Sequence, residues 1–213
     1  MVVIEAVRHE KVYQSLNLDT SNGNLLVEGP VTSEKLAKLT MNDQLTAFRK
    51  PGEQLQALQE IADLEEGRII IATNQDEVIG YVTFLHPDPI ERWSKYPKDN
   101  LLELGAIEVA PAYRGNKLGS RLIATSMKDE NMENYIIIST EYYWHWDLNY
   151  SKLSVWDYRK IMEKMMRAGS LYPAATNEPE IMAHPANCLM VRIGKNVPKK
   201  DEELFEKLRF INA

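Results

Sequence analysis

Apolar residues along the chain follow two spacings, one typical of strands and one typical of helices. β-Branched and aromatic runs at residues 69–72 and 78–84 flank a polar segment at 74–77 and predict a hairpin. Leucine and isoleucine at helical spacing predict a helix over residues 53–65, with Gly67 as its stop. The pattern then predicts a strand over 102–109, a helix over about 116–129, a strand over 135–139, a helix over about 155–168, a strand over 188–193 and an amphipathic C-terminal helix.

The first 40 residues have weaker patterning. Asn22-Gly23 indicates a turn, residues 25–27 form a short apolar run, and Ser33 is the expected N-cap of a helix through Leu39. The order of elements along the chain predicts an α/β or α+β fold with a mixed sheet covered by helices. We expect a single domain over residues 1–213, with 1–40 as an N-terminal extension or a first strand and helix and 198–213 as the C-terminal helix.

Composition narrows the class of protein. Apolar residues are 44% and charged residues 26% of the chain, values typical of globular proteins. The net charge of -6 and the absence of a basic stripe argue against a nucleic-acid partner. No apolar run reaches the roughly 20 residues of a membrane span, and Glu5 directly follows four apolar residues, which argues against a signal peptide. We therefore expect a cytoplasmic protein without a membrane partner, in which the single Cys188 excludes an internal disulfide and a cysteine-based zinc site.

Residues 102–127 carry the clearest chemical signal. A strand leads through a proline-bounded turn into a loop with Arg114, Lys117 and two glycines, and then into an apolar-periodic helix. Free N–H groups at the start of that helix, together with the nearby cations, favour a bound anion such as a phosphate. The segment matches neither the Walker loop nor the three-glycine dinucleotide fingerprint. A strand–turn–helix with surface cations and no ligand explains the same residues.

The segment Arg114–Gly119 resembles the acyl-CoA-binding motif of the GNAT family of N-acetyltransferases, with Lys117 in the position of the first motif glycine. The resemblance implies a GNAT fold, a mostly antiparallel mixed sheet with a splayed parallel pair, and flanking helices. It also implies acetyl-CoA as cosubstrate and no metal. The residues that it assigns to cofactor binding are Ile107, Val109, Arg114, Gly115, Asn116, Lys117, Leu118, Gly119 and Ser120.

Longer segments resemble a narrower branch of that family, the acetoin-utilisation acetyltransferases of bacilli. They lie at residues 91–93, 103–110, 141–148, 155–166 and 184–198. This resemblance implies a protein acceptor, acetyl-CoA synthetase, which is acetylated on an active-site lysine and thereby inactivated. A small-amine acetyltransferase and a non-catalytic acyl-CoA-binding module remain alternatives, and the oligomeric state is open.

Glu103 is the expected general base, because it is in register with the glutamate base of the histone-acetylating members of the family. Simple strand alternation places it on one face with Gly105, Ile107 and Val109. Glu108 is the competing base, and alternation points it to the opposite face unless a bulge intervenes. In a third interpretation both glutamates are structural and pair with arginines.

Tyr158 is the expected general acid for the thiolate leaving group. The family often carries Asn, Ala and Tyr at the start of its late helix, and these positions hold Ser151, Ser154 and Tyr158 here. The alternative is a purely structural role, because Tyr158 continues an apolar stripe of the helix with Met162.

The aromatic run at residues 142–146 predicts an extended segment whose alternate rings fill a core or brace a sheet. His145 within it is interpreted as structural, with a second base as the alternative. A metal site formed by Glu141, His145 and Asp147 is possible by spacing but disfavoured by context. Cys188, in a predicted strand, is expected to be a small buried hydrophobe, with a covalent acyl-cysteine as a minor alternative.

Overall fold

A computed structural model of the chain describes residues 9–211, so the segment around Glu5 lies outside the described residues. The strands are β1 (Gln14–Thr20), β2 (Gly23–Gly29), β3 (Thr40–Met41), β4 (Arg68–Asn74), β5 (Glu77–Leu85), β6 (Leu101–Val109), β7 (Ile136–Glu141), β8 (Tyr172–Ala174) and β9 (Cys188–Ile193). The helices are α1 (Ser33–Leu36), α2 (Pro51–Ala62), α3 (Leu118–Ser126), α4 (Leu148–Ser151), α5 (Val155–Met166), α6 (Pro179–Met182) and α7 (Lys199–Arg209).

The nine strands within residues 9–211 all belong to one mixed, mostly antiparallel sheet. Its order is β1-β2-β4-β5-β6-β7-β9-β8, and the two-residue β3 pairs with β5 outside this path. The central neighbours β6 and β7 run parallel, but they pair only from Leu101↔Ile136 to Glu103↔Ile138. Beyond that point β7 stays paired with β9, so a gap opens between β6 and β7. The expected mixed sheet with a splayed parallel pair is confirmed.

Helices cover both faces of the sheet. On one face α3 and α5 contribute Leu122 and Met162 to a core that includes Leu102 and Leu104 of β6. On the other face α1 and α2 pack over the first half of the sheet, while α7 buries Phe205 over the second half. The two layers hold β6 in the middle of the molecule, where its backbone is fixed from both sides.

A bulge at Gly105 interrupts the alternation of β6. Leu104 pairs with Phe84 and Ala106 pairs with Thr83, so Gly105 has no partner of its own on β5. An extra residue of this kind moves every later side chain to the opposite face of the strand. A glycine inside an otherwise β-branched strand is the usual sequence signal for such a bulge.

The bulge overturns the expected face of Glu103. Ile107 and Val109 pack on the same core as Leu102, whereas Glu103 alternates away from that core. Glu103 and Glu108 therefore share the face of the sheet that α2 covers, and the prediction that Glu103 lies with Ile107 and Val109 is wrong. The role of Glu103 is a separate question, which depends on what surrounds its carboxyl group.

Other expectations differ from the structure at the ends of elements. Thr32, not Ser33, caps α1, because its side chain accepts a hydrogen bond from the Lys35 N–H, and the helix ends at Leu36 instead of Leu39. Residues 142–146 are not extended, since a 3₁₀ turn spans Tyr143–His145. Within residues 9–211, no helix has the length and apolar character needed to cross a bilayer.

Candidate active site

The gap between β6 and β7 leaves backbone donors of β6 pointing away from β5. The Ala110 N–H donates to the Ile79 carbonyl at 2.9 Å, so these two residues form a hydrogen-bonded pair between β6 and β5. In an antiparallel ladder, such pairs alternate with pairs whose N–H groups point away from the partner strand. By that alternation the N–H groups of Ile107 and Val109 point into the gap. They are available to a ligand that enters between the two strands.

An open cleft of about 200 Å³ lies at this gap. Glu103 and Tyr158 both line it, so the structure brings the two predicted catalytic residues to one site. Met162 of α5 lines the cleft on one face of the sheet, and Phe48 of the loop before α2 lines it on the other. A cosubstrate and an acceptor can therefore reach the same point from opposite faces.

Glu103 has the properties of a base that works near neutral pH. Its side chain is buried, and one carboxylate oxygen accepts a hydrogen bond from the Thr140 hydroxyl at 3.0 Å. Burial, followed by the negative charge of Glu91, raises the pKa of Glu103 to about 7. A carboxyl group with this pKa is divided between its two protonation states under physiological conditions.

Both carboxylate oxygens of Glu108 accept hydrogen bonds from within the protein. Its Oε1 accepts the N–H groups of Thr46 and Ala47, both at 2.8 Å, and its Oε2 accepts the Tyr81 hydroxyl at 2.9 Å. These bonds anchor the loop that carries Phe48 into the cleft. The geometry therefore favours Glu103 over Glu108 as the base.

Tyr158 lies half-buried against the cleft. Its ring stacks on Trp146 with centroids 5.3 Å apart. The Trp146 indole donates to Glu141 at 3.2 Å, and the Ser139 hydroxyl donates to the same carboxyl at 2.9 Å. Burial raises the pKa of Tyr158 above its ordinary value, so the phenol keeps its proton across the physiological range. Burial also raises the pKa of Glu141.

The predicted phosphate loop has the backbone conformation of an anion cradle. Gly115 has φ +95° and Lys117 has φ +56°, so both turn through the left-handed region. Lys117 is the N-cap of α3 without a side-chain cap, which leaves the first N–H groups of the helix, from Leu118 to Ser120, without intrahelical partners. These features fit the diphosphate of coenzyme A. Lys117, in the position of the first motif glycine, thus adopts a left-handed conformation that favours glycine.

Two other motif residues, Arg114 and Gly119, contribute to the packing around the loop. Arg114 donates to Asp147 at 2.7 Å and to the Val109 carbonyl at 3.1 Å, so its guanidinium ties the loop to the segment after β7. A Cβ at Gly119 would lie 2.5 Å from the Met165 sulfur, so the glycine allows α3 and α5 to approach. A direct contact of either residue with the cofactor remains a prediction.

The remaining predicted positions lie close to the site. Ser154 caps α5 by accepting the Asp157 N–H, and Ser151 ends α4. Cys188 is buried in β9, and burial raises the pKa of its thiol to about 12, which suits a packing role. Among the described residues there is no group of three His, Cys, Asp or Glu side chains able to hold a metal ion.

Sequence analysis missed Phe48, Thr140 and Glu141 as cleft residues. Thr140 and Glu141 directly follow the apolar run of β7, where a strand in this kind of sheet presents side chains to a ligand. Phe48 carries no comparable signal, because its place depends on the bonds between its loop and Glu108.

Known proteins are similar to this chain over most of its length. The profile of the Acetyltransferase (GNAT) family matches residues 36–143. The Acetoin utilization protein AcuA of Bacillus subtilis (strain 168) is 59% identical over 204 residues, which is 96% of this chain and 97% of that protein. A crystal structure of the acetoin utilization protein from Exiguobacterium sibiricum 255-15 has a TM-score of 0.92 at 57% identity, covering 94% of this chain and 95% of that one. The chain therefore belongs to the GNAT family and is an acetyl-CoA-dependent acetyltransferase.

Proposed function

We propose that this enzyme transfers the acetyl group of acetyl-CoA to an active-site lysine of acetyl-CoA synthetase and thereby inactivates it. The observation that carries the chemistry is the buried Glu103 carboxyl, with its pKa raised to about 7, at the gap between β6 and β7. The acceptor is supported by the long segments that resemble acetoin-utilisation enzymes and by relatives named for acetoin utilization. We place the reaction in the cytoplasm, in the control of acetoin and acetate metabolism.

Glu103 prepares the acceptor. A lysine side chain arrives as an ammonium ion and has no free electron pair until it loses a proton. The Glu103 carboxylate takes that proton, and the Thr140 hydroxyl holds the carboxylate in place. A positioned base of this kind contributes about 10²–10⁴-fold to the rate.

The other cleft groups act on the thioester, which is the reactive part of acetyl-CoA. The amine nitrogen forms a bond to the acetyl carbon as the carbon–sulfur bond breaks. The Val109 N–H, which points into the gap, donates to the thioester oxygen, where negative charge develops. The Tyr158 hydroxyl gives its proton to the departing thiolate and recovers one from solvent. The N–H groups at the start of α3 hold the diphosphate, with Lys117 and Arg114 beside it.

The test uses purified enzyme, acetyl-CoA and the acetyl-CoA synthetase of the same organism. We expect one enzyme-dependent acetyl group on one synthetase lysine by peptide mass spectrometry, with synthetase activity falling in parallel. Glu103→Gln should slow transfer by about 10²-fold or more while acetyl-CoA binding is kept. Glu108→Gln is the matched control, because an amide oxygen can still accept the loop N–H groups, and it should keep most of the activity.

Two outcomes would contradict the proposal. If the synthetase stays unmodified while acetyl-CoA still stabilises the enzyme, the acceptor is wrong and small amines become the candidates. If Glu103→Gln transfers acetyl groups at the normal rate, the base is wrong even though the family is right.

A further inference from the structure

An array of aromatic side chains adjoins the cleft through Tyr142, and two of its rings are exposed to solvent. We name it the aromatic rim, and it consists of Tyr142, Tyr143, Trp144, Trp156 and His184. Tyr142 stacks on Trp144 at 4.9 Å, and His184 lies 4.2 Å from Tyr143 and 6.4 Å from Trp156 between ring centroids. Trp144 and Trp156 are 48% and 52% exposed. These rings are held by contact with each other, and the two tryptophans leave about half of their surface open to solvent.

Carboxylates stand beside the rim. Arg92 donates to the Asn177 side chain at 2.7 Å, which brings Glu91 next to the segment that carries Glu178 and Glu180. We name these three glutamates the acidic edge. Burial is the largest cause of the raised pKa of Tyr142 in the aromatic rim, and the negative charges of these three glutamates come next. The acidic edge therefore lies close enough to the rim for its charges to act on Tyr142.

A buried asparagine fixes the two features to each other. Asn187 accepts the Tyr143 N–H at 3.0 Å, and its amide donates to the Glu180 carbonyl at 3.0 Å. Asn187 is only 5% exposed, so this connection is part of the folded interior. The relative placement of rim and edge is thus set by the fold rather than by flexible surface side chains.

The rim is continuous with the catalytic cleft. Tyr142 belongs to the rim and lines the cleft together with Glu103. Glu91 of the acidic edge is also the largest charge acting on Glu103. If an acceptor lysine reaches Glu103 past Tyr142, the residues next to that lysine in the acceptor must therefore contact the rim and the edge.

We propose that the aromatic rim and the acidic edge dock the lysine-bearing segment of an acceptor protein that has at least one further lysine or arginine beside the acetylated lysine. Exposed aromatic faces bind apolar stems and cations, and the carboxylates complement the second cation. A small amine would be consumed inside the cleft and would gain nothing from either feature. The inference rests on the proposed function, because it concerns how the protein acceptor is recognised.

The experiment compares three synthetic peptides, each with one lysine flanked by arginines, by alanines or by glutamates. Initial rates at saturating acetyl-CoA give kcat and KM for each peptide. We expect the arginine-flanked peptide to have a KM about tenfold lower than the alanine-flanked one, and the glutamate-flanked peptide to be the poorest acceptor. Added salt should reduce these differences.

Variants of the surface connect this preference to named residues. Glu178→Gln/Glu180→Gln should raise KM for the arginine-flanked peptide about tenfold and leave KM for the alanine-flanked peptide within about twofold. Its matched control, Glu53→Gln/Glu60→Gln in α2, removes the same charge elsewhere and should leave both values unchanged. Trp144→Ala should raise KM for every peptide by about fivefold or more. In each variant, kcat and acetyl-CoA affinity should stay at the wild-type values.

The same variants are also assayed on the intact synthetase, so that failure of the docking inference is distinct from failure of the proposed function. Equal KM values for all three peptides, or equal effects of the acidic-edge variant and its control, would overturn the docking inference. Synthetase acetylation that is unchanged in the rim and edge variants would overturn it as well, with the proposed function intact. Transfer to small amines alone would overturn both.

Discussion

At the scale of single residues, the effect of the buried Glu103 carboxyl on the stability of the native state can be measured. A Glu103 pKa of about 7, against an ordinary value of 4.5, means that the native state holds the proton more tightly than the unfolded chain. Between these two values, stability falls as the pH rises, because ionisation in the buried site is penalised. Above pH 7 the ionised carboxylate destabilises the native state by at most about 3 kcal/mol.

We therefore expect Glu103→Gln to be more stable than the wild type at pH 8, by about 1–3 kcal/mol. The difference should shrink as the pH falls through 7 and vanish near 4.5, where the wild-type carboxyl is neutral in the native state. Urea denaturation at pH 4.5, 6 and 8 measures it. Glu108→Gln is the control and should gain no stability, because its charge is used by three hydrogen bonds. A Glu103→Gln variant less stable than wild type at pH 8 would refute the argument.

The residue scale also shows what strand alternation could and could not predict. Glu103 was identified from its register with related enzymes, and the structure places it in the cleft with Tyr158. Its face on β6 was predicted wrongly, because alternation was carried across Gly105 without the bulge. The signal was present in the sequence as an isolated glycine in a strand. Only the pairing with β5 shows that the bulge forms there.

At the scale of elements, the hairpin of β1 and β2 supports the phosphate loop. Asn22 lies in the turn between these two strands. Its side chain donates to the Ala112 carbonyl at 3.2 Å and accepts from the Asn116 side chain at 3.1 Å. Asn22 thereby connects the two sides of a loop whose backbone passes twice through the left-handed region. Such a loop gains from an external brace, because its binding conformation is otherwise one of several.

We expect Asn22→Ala to weaken acetyl-CoA binding by about three- to tenfold, because the loop loses its brace. The unfolding free energy should change by less than about 0.5 kcal/mol, since the side chain is exposed. Isothermal titration and urea denaturation give the two quantities. Asn22→Asp keeps the acceptor for Asn116 and should restore part of the affinity, while Asn24→Ala on the same hairpin should change neither. Equal affinity in Asn22→Ala and wild type would contradict the bracing role.

The elements that the sequence predicted well share a physical cause. The strands β4, β5 and β9 and the helices α2 and α5 have long apolar runs or a clear helical stripe, and their ends lie within a few residues of prediction. By contrast, β1 is half-exposed and polar at alternate positions, and β3 has two residues. Their pairing with neighbours, rather than their own composition, makes them strands. The turn at Tyr143–His145 likewise depends on the distant Asn187.

At the scale of the whole molecule, the order of elements and the resemblance to a family predicted the sheet, but the shape of the site needed the structure. The cleft exists because β7 leaves β6 after Glu103 and continues along β9. That register joins segments far apart in the chain, and no local pattern records it. The same holds for the acidic edge, in which two loops meet through Arg92 and Asn177.

Binding of the cosubstrate should stabilise the entire fold, because its cradle and cleft join α3, β6 and α5, which lie within one core. A ligand that binds only the native state adds about 2.7 kcal/mol when present at 100 times its Kd. For a chain of 213 residues, we expect Tm to rise by about 5–10 °C in saturating acetyl-CoA. Glu103→Gln should keep this shift, whereas Lys117→Ala should reduce it at the same ligand concentration. Differential scanning calorimetry with acetyl-CoA, and with acetate as the control, makes the measurement. An unchanged Tm with acetyl-CoA would show that the loop before α3 does not hold the cosubstrate, whatever the origin of its conformation.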